Sequence, residues 1–332
     1  MKITLFICIL ICLRVDSLYG QNQEIKFVLD KSIEIMKANS ANSNKVDWTV
    51  IKTNTFEQAR KLENVYQLGP VFKMILKALN DFHGTAFIGD SSYKWVRDEP
   101  QYSDSIKNEW KKHVSVQEKI LIGNIGYLRV PSMPYGDRAD LNKKAQKLND
   151  SLCFLIKKNV KGIVLDLRLN GGGAMYPMML GLEHLLQEGN LGSFTGNLKE
   201  NWVLKNNGFY LDTIIQASIV PKCSIPAKLI PVVVLIGPGT GSSGEFLAIS
   251  FKKRKNTIFL GEKTAGYVTS IAGFKVTDVV YLNLSTGYGR DKMGQIYEQA
   301  LVPDISMNDP DSFNDIEHDK KVIAAIKLIL KK

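Results

Sequence analysis

The stretch that decides the fold is residues 232–246, which read VVVLIGPGTGSSGEF. Its first five residues are apolar and predict a strand that is buried on both faces. A glycine-rich turn follows, and a helix is predicted over about 243–253. A strand that passes through a tight turn into a helix is the building unit of α/β proteins, whose sites gather beyond the carboxyl ends of the strands.

A serine stands at the start of that predicted helix. Ser242 lies in the positive backbone potential of a helix N-terminus, and the amide after it faces the same space. The position therefore suits a nucleophile. Ser242 followed by Glu245 is also the capping-box pattern of an ordinary helix start. By itself the turn leaves both interpretations open.

A second strand-to-helix turn has a similar character. Residues 164–173 read VLDLRLNGGG, in which a buried strand opens into three glycines before a predicted helix over 175–188. Glycine lets a backbone N–H approach a ligand without steric hindrance from a Cβ, and such an amide can hold a developing oxyanion. A plain tight turn explains the glycines equally well. Neither turn has the Gly-Lys-Ser/Thr ending of a phosphate-binding loop.

The rest of the chain supports an α/β core. From residue 118 to 332, strand-like runs over 120–130, 163–167, 232–236 and 257–260 alternate with helical runs over 137–158, 175–188 and 314–331. This alternation predicts a parallel-rich sheet flanked by helices. Residues 21–83 show helical spacing and predict a helical N-terminal subdomain. Residues 84–117 are polar and irregular, as expected of a connecting or cap segment.

The N-terminus and the composition indicate an exported protein. Residues 1–20 have the three-part build of a signal peptide, with an apolar run too short for a bilayer, which needs about 20 residues. No later segment predicts an integral membrane span, so we expect a secreted or periplasmic location. The chain of 332 residues carries a net charge of +10. Its lysines are scattered among acidic residues, which favours a solvated basic surface over nucleic-acid binding.

Cysteine and histidine usage does not predict a metal site. Only Cys153 and Cys223 remain beyond the predicted signal peptide, and the sequence leaves open whether they pair. The four histidines are far apart, and no cluster has zinc-ligand spacing. We expect neither a metal nor another cofactor.

Four motifs, taken in order, resemble the tail-specific or C-terminal processing serine peptidases of family S41. They are DLRLNGGG at 166–173, GTGSSGE at 239–245, GEKTAG at 261–266, and Glu298 followed by PDI at 303–305. The resemblance implies a ClpP/crotonase-like peptidase core. It also implies the site residues: Ser242 as nucleophile, the amides of Gly172 and Ser243 as oxyanion hole, and Asn170, Gly171, Gly173 and Glu245 as substrate-binding residues.

The catalytic base departs from the better-known branch of that family. The lysine expected after the third motif is replaced by Tyr267, and a phenol with a pKa near 10 is a poor base at neutral pH. Histidine is the natural substitute. The resemblance to the histidine-using branch implies His83 as the base, with Glu298 to orient it.

That branch includes the nisin-resistance proteases, which the chain resembles further in MYPM at 175–178 and TAGY at 264–267. Nisin-resistance proteases lack a PDZ module, and segment 84–117 of this chain is too short to form one, so no PDZ domain is expected. The expected function is a secreted serine endopeptidase that cleaves peptides or protein tails near the C-terminus. Two alternatives remain, an inactive peptide-binding protein on the same scaffold and an acyl-CoA enzyme of the crotonase type. The substrate and the oligomeric state do not follow from the sequence.

Overall fold

The computed structural model describes residues 23–97, 102–112, 114–196, 200–224, 226 and 228–331, so the predicted signal peptide lies outside the described residues. The helices are α1 (residues 23–39), α2 (Trp48–Ala59), α3 (Gly69–Ala78), α4 (Asp104–Lys111), α5 (Arg138–Lys157), α6 (Met175–Gly181), α7 (Glu183–Leu186), α8 (Ser243–Phe251) and α9 (Lys320–Leu330), with 3-10 turns at Ser43–Lys45 and Val65–Leu68. The strands are β1 (Thr85–Ile88), β2 (Ser91–Tyr93), β3 (Gln117–Leu121), β4 (Ile125–Arg129), β5 (Ile163–Asp166), β6 (Gly189–Phe194), β7 (Asn201–Lys205), β8 (Gly208–Leu211), β9 (Ile214–Ser218), β10 (Val232–Ile236), β11 (Thr257–Gly261), β12 (Thr269–Lys275), β13 (Val280–Asp291), β14 (Ile296–Tyr297) and β15 (Ile305–Ser306).

Two predicted elements are divided in the structure. The strand expected over 120–130 is the hairpin β3–β4, because Gly123 and Asn124 adopt φ values of 77° and 60° and reverse the chain. The helix expected over 175–188 is two helices, α6 and α7, that are separated at Leu182. The final helix is shorter than expected and begins at Lys320, where the Asp319 side chain accepts the N–H of Val322.

The chain divides into two compact units, and the first contains residues up to 98 together with residues 270–287. Its core joins apolar side chains of α1, α2 and α3 to β1 and the first part of β13. The strands pair antiparallel in the order β2-β1-β13. The segment predicted as a connector, 84–117, is shared between the units, since β1 and β2 belong to the first and α4 to the second.

The second unit contains the six-stranded sheet that carries the chemistry, in the order β15-β11-β10-β5-β4-β3. Its central strand β10 contains the apolar run at residues 232–236. Val232, Val234 and Ile236 face one apolar cluster, to which α5, α6 and α8 contribute, whereas Val233 and Leu235 face another that includes α9. Both faces are covered, so every residue of the strand is buried.

The expectation of a parallel-rich architecture applies to this sheet alone. Its four pairings from β15 to β4 are parallel, and only β3–β4 is antiparallel. The strands β6 to β9 and the end of β13 form a separate layer whose described pairings are all antiparallel. Short connections allow this meander, whereas parallel pairing needs a crossover helix. The whole structure therefore contains more antiparallel than parallel pairing among its described strands.

A disulfide joins Cys153 of α5 to Cys223, which follows β9, across a sequence separation of 70 residues. The pairing that the sequence left open is thus present. None of the helices in the described ranges is both long and apolar enough to cross a membrane.

Candidate active site

Ser242 occupies the turn between β10 and α8, and its backbone is strained. Its φ of 51° and ψ of −121° lie where L-residues are rarely found, at a cost of about 1–3 kcal/mol. The side chain is half-buried. A strained serine between a strand and a helix is the geometry that presents Oγ for attack in serine hydrolases. This strain favours the nucleophile interpretation over a simple helix cap.

The carboxylate of Glu245 holds the turn in that conformation. One oxygen accepts the amide N–H of Ser242 at 2.9 Å. The other accepts the hydroxyl of Thr264 at 2.5 Å and the amide N–H of Gly266 at 2.7 Å. Glu245 therefore ties the nucleophile turn to the third sequence motif.

The burial of Glu245 bears on the role expected for it. Its side chain is 0% exposed, and both carboxylate oxygens are occupied within the protein. Of the two roles that the sequence left open for Glu245, these hydrogen bonds support the cap that positions Ser242, and the substrate contact stays a prediction. Burial raises its pKa to about 7, although the hydrogen bonds from Thr264, Gly266 and Ser242 act in the opposite direction.

The second glycine turn lies directly against Ser242. Gly172 and Gly173 have φ values of 112° and 106°, which favour glycine. A Cβ on Gly172 would lie 2.8 Å from the Cβ of Ser242 and 3.1 Å from the amide nitrogen of Ser243. A Cβ on Gly173 would lie 2.1 Å from the carbonyl oxygen of Met133. At position 172, any residue other than glycine would place its Cβ in the space beside Ser242.

The two amides predicted to bind an oxyanion differ in their present partners. Ser243 is the first residue of α8, where an N–H has no acceptor within the helix. Its hydroxyl donates to the carbonyl of Gly173 at 2.5 Å and fixes the two turns together. The amide of Gly172 donates to Oδ1 of Asn170 at 3.1 Å. Oxyanion binding by Gly172 therefore requires this N–H to be shared with or released from Asn170.

Asn170 and Gly171 differ in exposure. Asn170 is 0% exposed, its Nδ2 donates to Sδ of Met178 at 3.4 Å, and its carbonyl accepts the N–H of Gly241 at 2.9 Å. Its side chain and its carbonyl join the two turns, and its predicted contact with substrate stays a prediction. Gly171 is exposed, and its N–H donates to Oγ of Ser132 at 2.8 Å.

A buried ionic cluster anchors the base of the glycine turn. Arg168 is 1% exposed and forms ion pairs with Asp166 at 2.7 Å, Asp311 at 2.6 Å and Asp319 at 2.9 Å. Burial acts to raise the pKa of Asp166, but the charge of Arg168 and its hydrogen bonds outweigh burial and lower the pKa to about 2. The carbonyl of Arg168 also approaches Gly239, on which a Cβ would lie 2.2 Å away. Arg168 therefore contacts both turns. Its ion pairs anchor the glycine turn, and its carbonyl oxygen packs closely against Gly239 in the turn that contains Ser242.

Tyr267, which stands at the position of the family lysine, lies beside the nucleophile turn. A Cβ on Gly241 would be 3.7 Å from Cδ2 of its ring. Its backbone also forms a hydrogen bond with Glu245. The position of the family lysine is therefore occupied by a phenol, which lacks the basic amine of lysine.

Glu298 is exposed and follows β14 in the second unit. Close to it in the chain, Leu301 donates its N–H to Oγ1 of Thr264 at 2.8 Å. This bond connects the fourth motif to the third. The role of Glu298 in orienting the base stays a prediction.

His83 belongs to the first unit, where it is half-buried in the turn between α3 and β1. Asp81 fixes this turn. Its carboxylate accepts the N–H of Gly84 at 2.7 Å and both the N–H and the hydroxyl of Ser285, at 2.9 and 2.6 Å. Burial raises the pKa of Asp81, against these hydrogen bonds and one from the backbone of His83. The pattern Asp-Phe-His-Gly at 81–84, typical of an Asx turn, is the signal that identifies Asp81.

One group of potential metal ligands stands out among the described residues. It consists of Cys153, His184 and Cys223, whose ligand atoms lie within 4.8 Å of one another. The two sulfur atoms are bonded to each other, and Nε2 of His184 lies 2.9 Å from the carbonyl oxygen of Cys223. In this state the group forms a disulfide and a hydrogen bond, and a lone imidazole is a poor metal site.

A strained serine at a strand-to-helix turn, facing a glycine turn, is the arrangement of a serine hydrolase. Residues 124–307 match peptidase family S41, and the chain belongs to this family. Family membership makes it a serine peptidase by class and confirms the resemblance drawn from the four motifs.

The relatives agree with this assignment. The chain is 27% identical over 268 residues to the nisin-resistance protein of Lactococcus lactis subsp. lactis, covering 80% of this chain and 78% of that protein. It is 26% identical over 208 residues to the carboxy-terminal processing protease CtpA of Bacillus subtilis (strain 168), covering 62% of this chain and 40% of that protein. The solved structure of a putative peptidase from Parabacteroides merdae ATCC 43184 has the same fold, with a TM-score of 0.64, 18% identity, and coverage of 93% of this chain and 97% of that one.

Proposed function

We propose that this protein is an exported serine endopeptidase that cleaves peptides or protein tails near their C-terminus. Ser242 attacks the substrate carbonyl, the peptide bond breaks with release of the amine, and water hydrolyses the resulting acyl-enzyme. The observation that carries the proposal is the strained backbone of Ser242, which is half-buried and held by the Glu245 carboxylate. Strain of this kind persists only where the surrounding structure enforces it.

His83 acts as the general base. It takes the proton of the Ser242 hydroxyl during attack and gives it to the leaving amine, as an imidazole does near neutral pH. Tyr267 at the lysine position is a poorer candidate because a phenol does not accept a proton readily at this pH. The anchoring of the His83 turn by Asp81 supports the assignment, since a base requires a fixed backbone.

The amide of Ser243 is the first donor of the oxyanion hole, and the amide of Gly172 is the second. Ser243 contributes an N–H from the start of α8, where the helix dipole also favours negative charge. Gly172 contributes after its N–H moves from Asn170 Oδ1 to the developing oxyanion, which is the stronger acceptor because it is charged.

Export and C-terminal specificity rest on separate observations. The signal pattern in residues 1–20 and the Cys153–Cys223 disulfide support export, since disulfides persist in oxidising compartments. The similarity to a carboxy-terminal processing protease supports cleavage near a C-terminus. The nisin-resistance relative adds peptide antibiotics to the substrates worth testing.

The proposal is tested by incubating the mature protein with peptides that differ in their C-terminal residues, each with a free and an amidated C-terminus. We expect cleavage near free C-termini, and its loss in Ser242→Ala and His83→Ala. Matched controls are Ser92→Ala and His318→Ala, which change an exposed serine and an exposed histidine.

Cleavage that persists in Ser242→Ala or in His83→Ala contradicts the mechanism. Saturable peptide binding by a wild-type protein that cleaves nothing supports the alternative of an inactive binding protein. Equal cleavage of free and amidated peptides contradicts the C-terminal preference.

A further inference from the structure

A cavity of about 530 Å³ lies in the second unit between the end of α4 and the glycine turn. This volume is within the range of small-ligand pockets. Its walls are apolar and include Trp110, Val114, Leu169 and two prolines, Pro131 and Pro134. None of the described residues that line it is charged.

The indole of Trp110 is a fixed wall of this cavity. Its Nε1 donates to the carbonyl of Leu169 at 3.1 Å, and its ring packs edge-on against Tyr102 at a centroid distance of 5.0 Å. A Cβ on Gly239 would lie 3.3 Å from Cζ2 of the indole, so the nucleophile turn also supports the ring. Trp110 therefore has its polar group satisfied and presents an ordered apolar surface.

The cavity borders the glycine turn that lies against Ser242. Gly171 lines the cavity, and its N–H is held by Ser132 Oγ, another lining residue, at 2.8 Å. The next residue, Gly172, is the one whose Cβ would lie 2.8 Å from the Cβ of Ser242. An extended peptide advances about 3.4 Å per residue. A substrate whose carbonyl lies at the Gly172 and Ser243 amides thus has a side chain within reach of the cavity.

We propose that this cavity receives an apolar side chain of the peptide substrate next to the bond that is cleaved, and that Trp110 and Val114 determine this preference. The inference rests on the proposed function, because it assumes a peptide bound at Ser242. Burying a large apolar side chain here raises kcat/KM by about 10- to 100-fold over alanine. A charged side chain is rejected, because the lining offers it no partner after it loses its water.

The test uses peptides that are identical except at one residue, and the varied position is moved along the C-terminal segment so that the set does not depend on where cleavage occurs. Each of these positions in turn carries Ala, Leu, Phe, Glu or Lys. Wild-type protein, Trp110→Ala and Val114→Glu are compared by kcat/KM, and the same peptides are titrated against Ser242→Ala and against Ser242→Ala combined with Val114→Glu. Val114 is half-buried and lies outside the helices and strands.

We expect one position at which Leu or Phe exceeds Ala by at least tenfold in both cleavage and binding. At that position Val114→Glu gains affinity for Lys and loses affinity for Leu and Phe, and Trp110→Ala loses the preference for Phe. General damage to the fold does not create a preference for lysine.

The failure of this inference is distinct from that of the proposed function. Equal binding of Leu, Phe and Ala peptides, or an unchanged preference in Val114→Glu, overturns the cavity assignment even when cleavage is normal. Conversely, an apolar preference in binding that Val114→Glu redirects towards Lys supports the assignment, even when the wild type cleaves none of the peptides and the proposed chemistry fails.

Discussion

The carboxylate of Glu245 accepts the amide N–H of Ser242 at 2.9 Å, so a fully buried acid controls the backbone of the candidate nucleophile. The same carboxylate binds Thr264 and Gly266. The capping-box pattern and the nucleophile motif are therefore not competing explanations of residues 242–245. The cap is the device that holds the serine in its strained conformation.

Replacing Glu245 with glutamine tests this positioning role. The amide has one oxygen and one NH2 group, so it must abandon either the Ser242 N–H or the donors of Thr264 and Gly266. An unsatisfied buried donor costs about 1–3 kcal/mol, and we expect kcat/KM to fall by about 10- to 100-fold. The matched control is Glu118→Gln on the exposed strand β3. Wild-type kcat/KM in Glu245→Gln would show that the carboxylate does not position the nucleophile.

The raised pKa of Glu245 predicts a pH dependence of stability. Its folded-state pKa of about 7 lies above the value for an unfolded chain, so the folded protein keeps this proton more tightly. The associated stability is fully present below about pH 4.3, and it is lost as the pH rises through about 7. The loss amounts to at most about 4 kcal/mol.

The measurement is urea unfolding of wild type and Glu245→Gln at pH 5 and pH 8. Because glutamine does not titrate, we expect the free energy of unfolding of the wild type to fall more between these values than that of the variant. A larger fall in the variant would contradict the assigned direction of the pKa shift.

Gly172→Ala tests the close approach of the two turns. The new Cβ meets the Cβ of Ser242 at 2.8 Å, so either the serine or the glycine turn must move. We expect activity to fall at least 100-fold, because displacement by about 1 Å at a catalytic site has this effect. Gly189→Ala is the matched control, since Gly189 has a similar φ of 122° but nothing within 4 Å of its Cβ position. If both variants lose activity equally, backbone strain and not the contact with Ser242 is responsible.

The Cys153–Cys223 disulfide predicts sensitivity to reductants. The cross-link spans 70 residues, and its loss costs on the order of 3 kcal/mol, chiefly because the unfolded chain regains freedom. We expect a dithiol reductant to lower the Tm of the wild type, and the double variant Cys153→Ser, Cys223→Ser to melt at the lower temperature with or without reductant. In protein that lacks residues 1–20, Cys153 and Cys223 are the only cysteines, so two free thiols after denaturation without reductant would contradict the pairing.

The local pattern of apolar residues predicts much of the core. The apolar run at 232–236 predicts a strand covered on both faces, and the structure buries all five residues. The hairpin β3–β4 is predicted less well. Its turn at Gly123 and Asn124 interrupts a run of residues that otherwise has the pattern of a single strand. The return of residues 270–287 to the first unit has no local signal, since it depends on pairing with β1, which lies far away in the sequence.

The sequence by itself determined the family, the serine turn at 242–245 and the glycine turn, because each of these is encoded in a short run of residues in fixed order. Only the tertiary structure decided what Glu245 and Asn170 do. For Glu245 the sequence left a helix cap and a substrate contact open, and Asn170 was predicted to bind substrate; both side chains are fully buried and form hydrogen bonds that hold the two turns. The reason is physical. A motif fixes which polar groups are present, but burial and the positions of distant donors such as Thr264 and Gly266 decide whether those groups face a substrate or the protein interior.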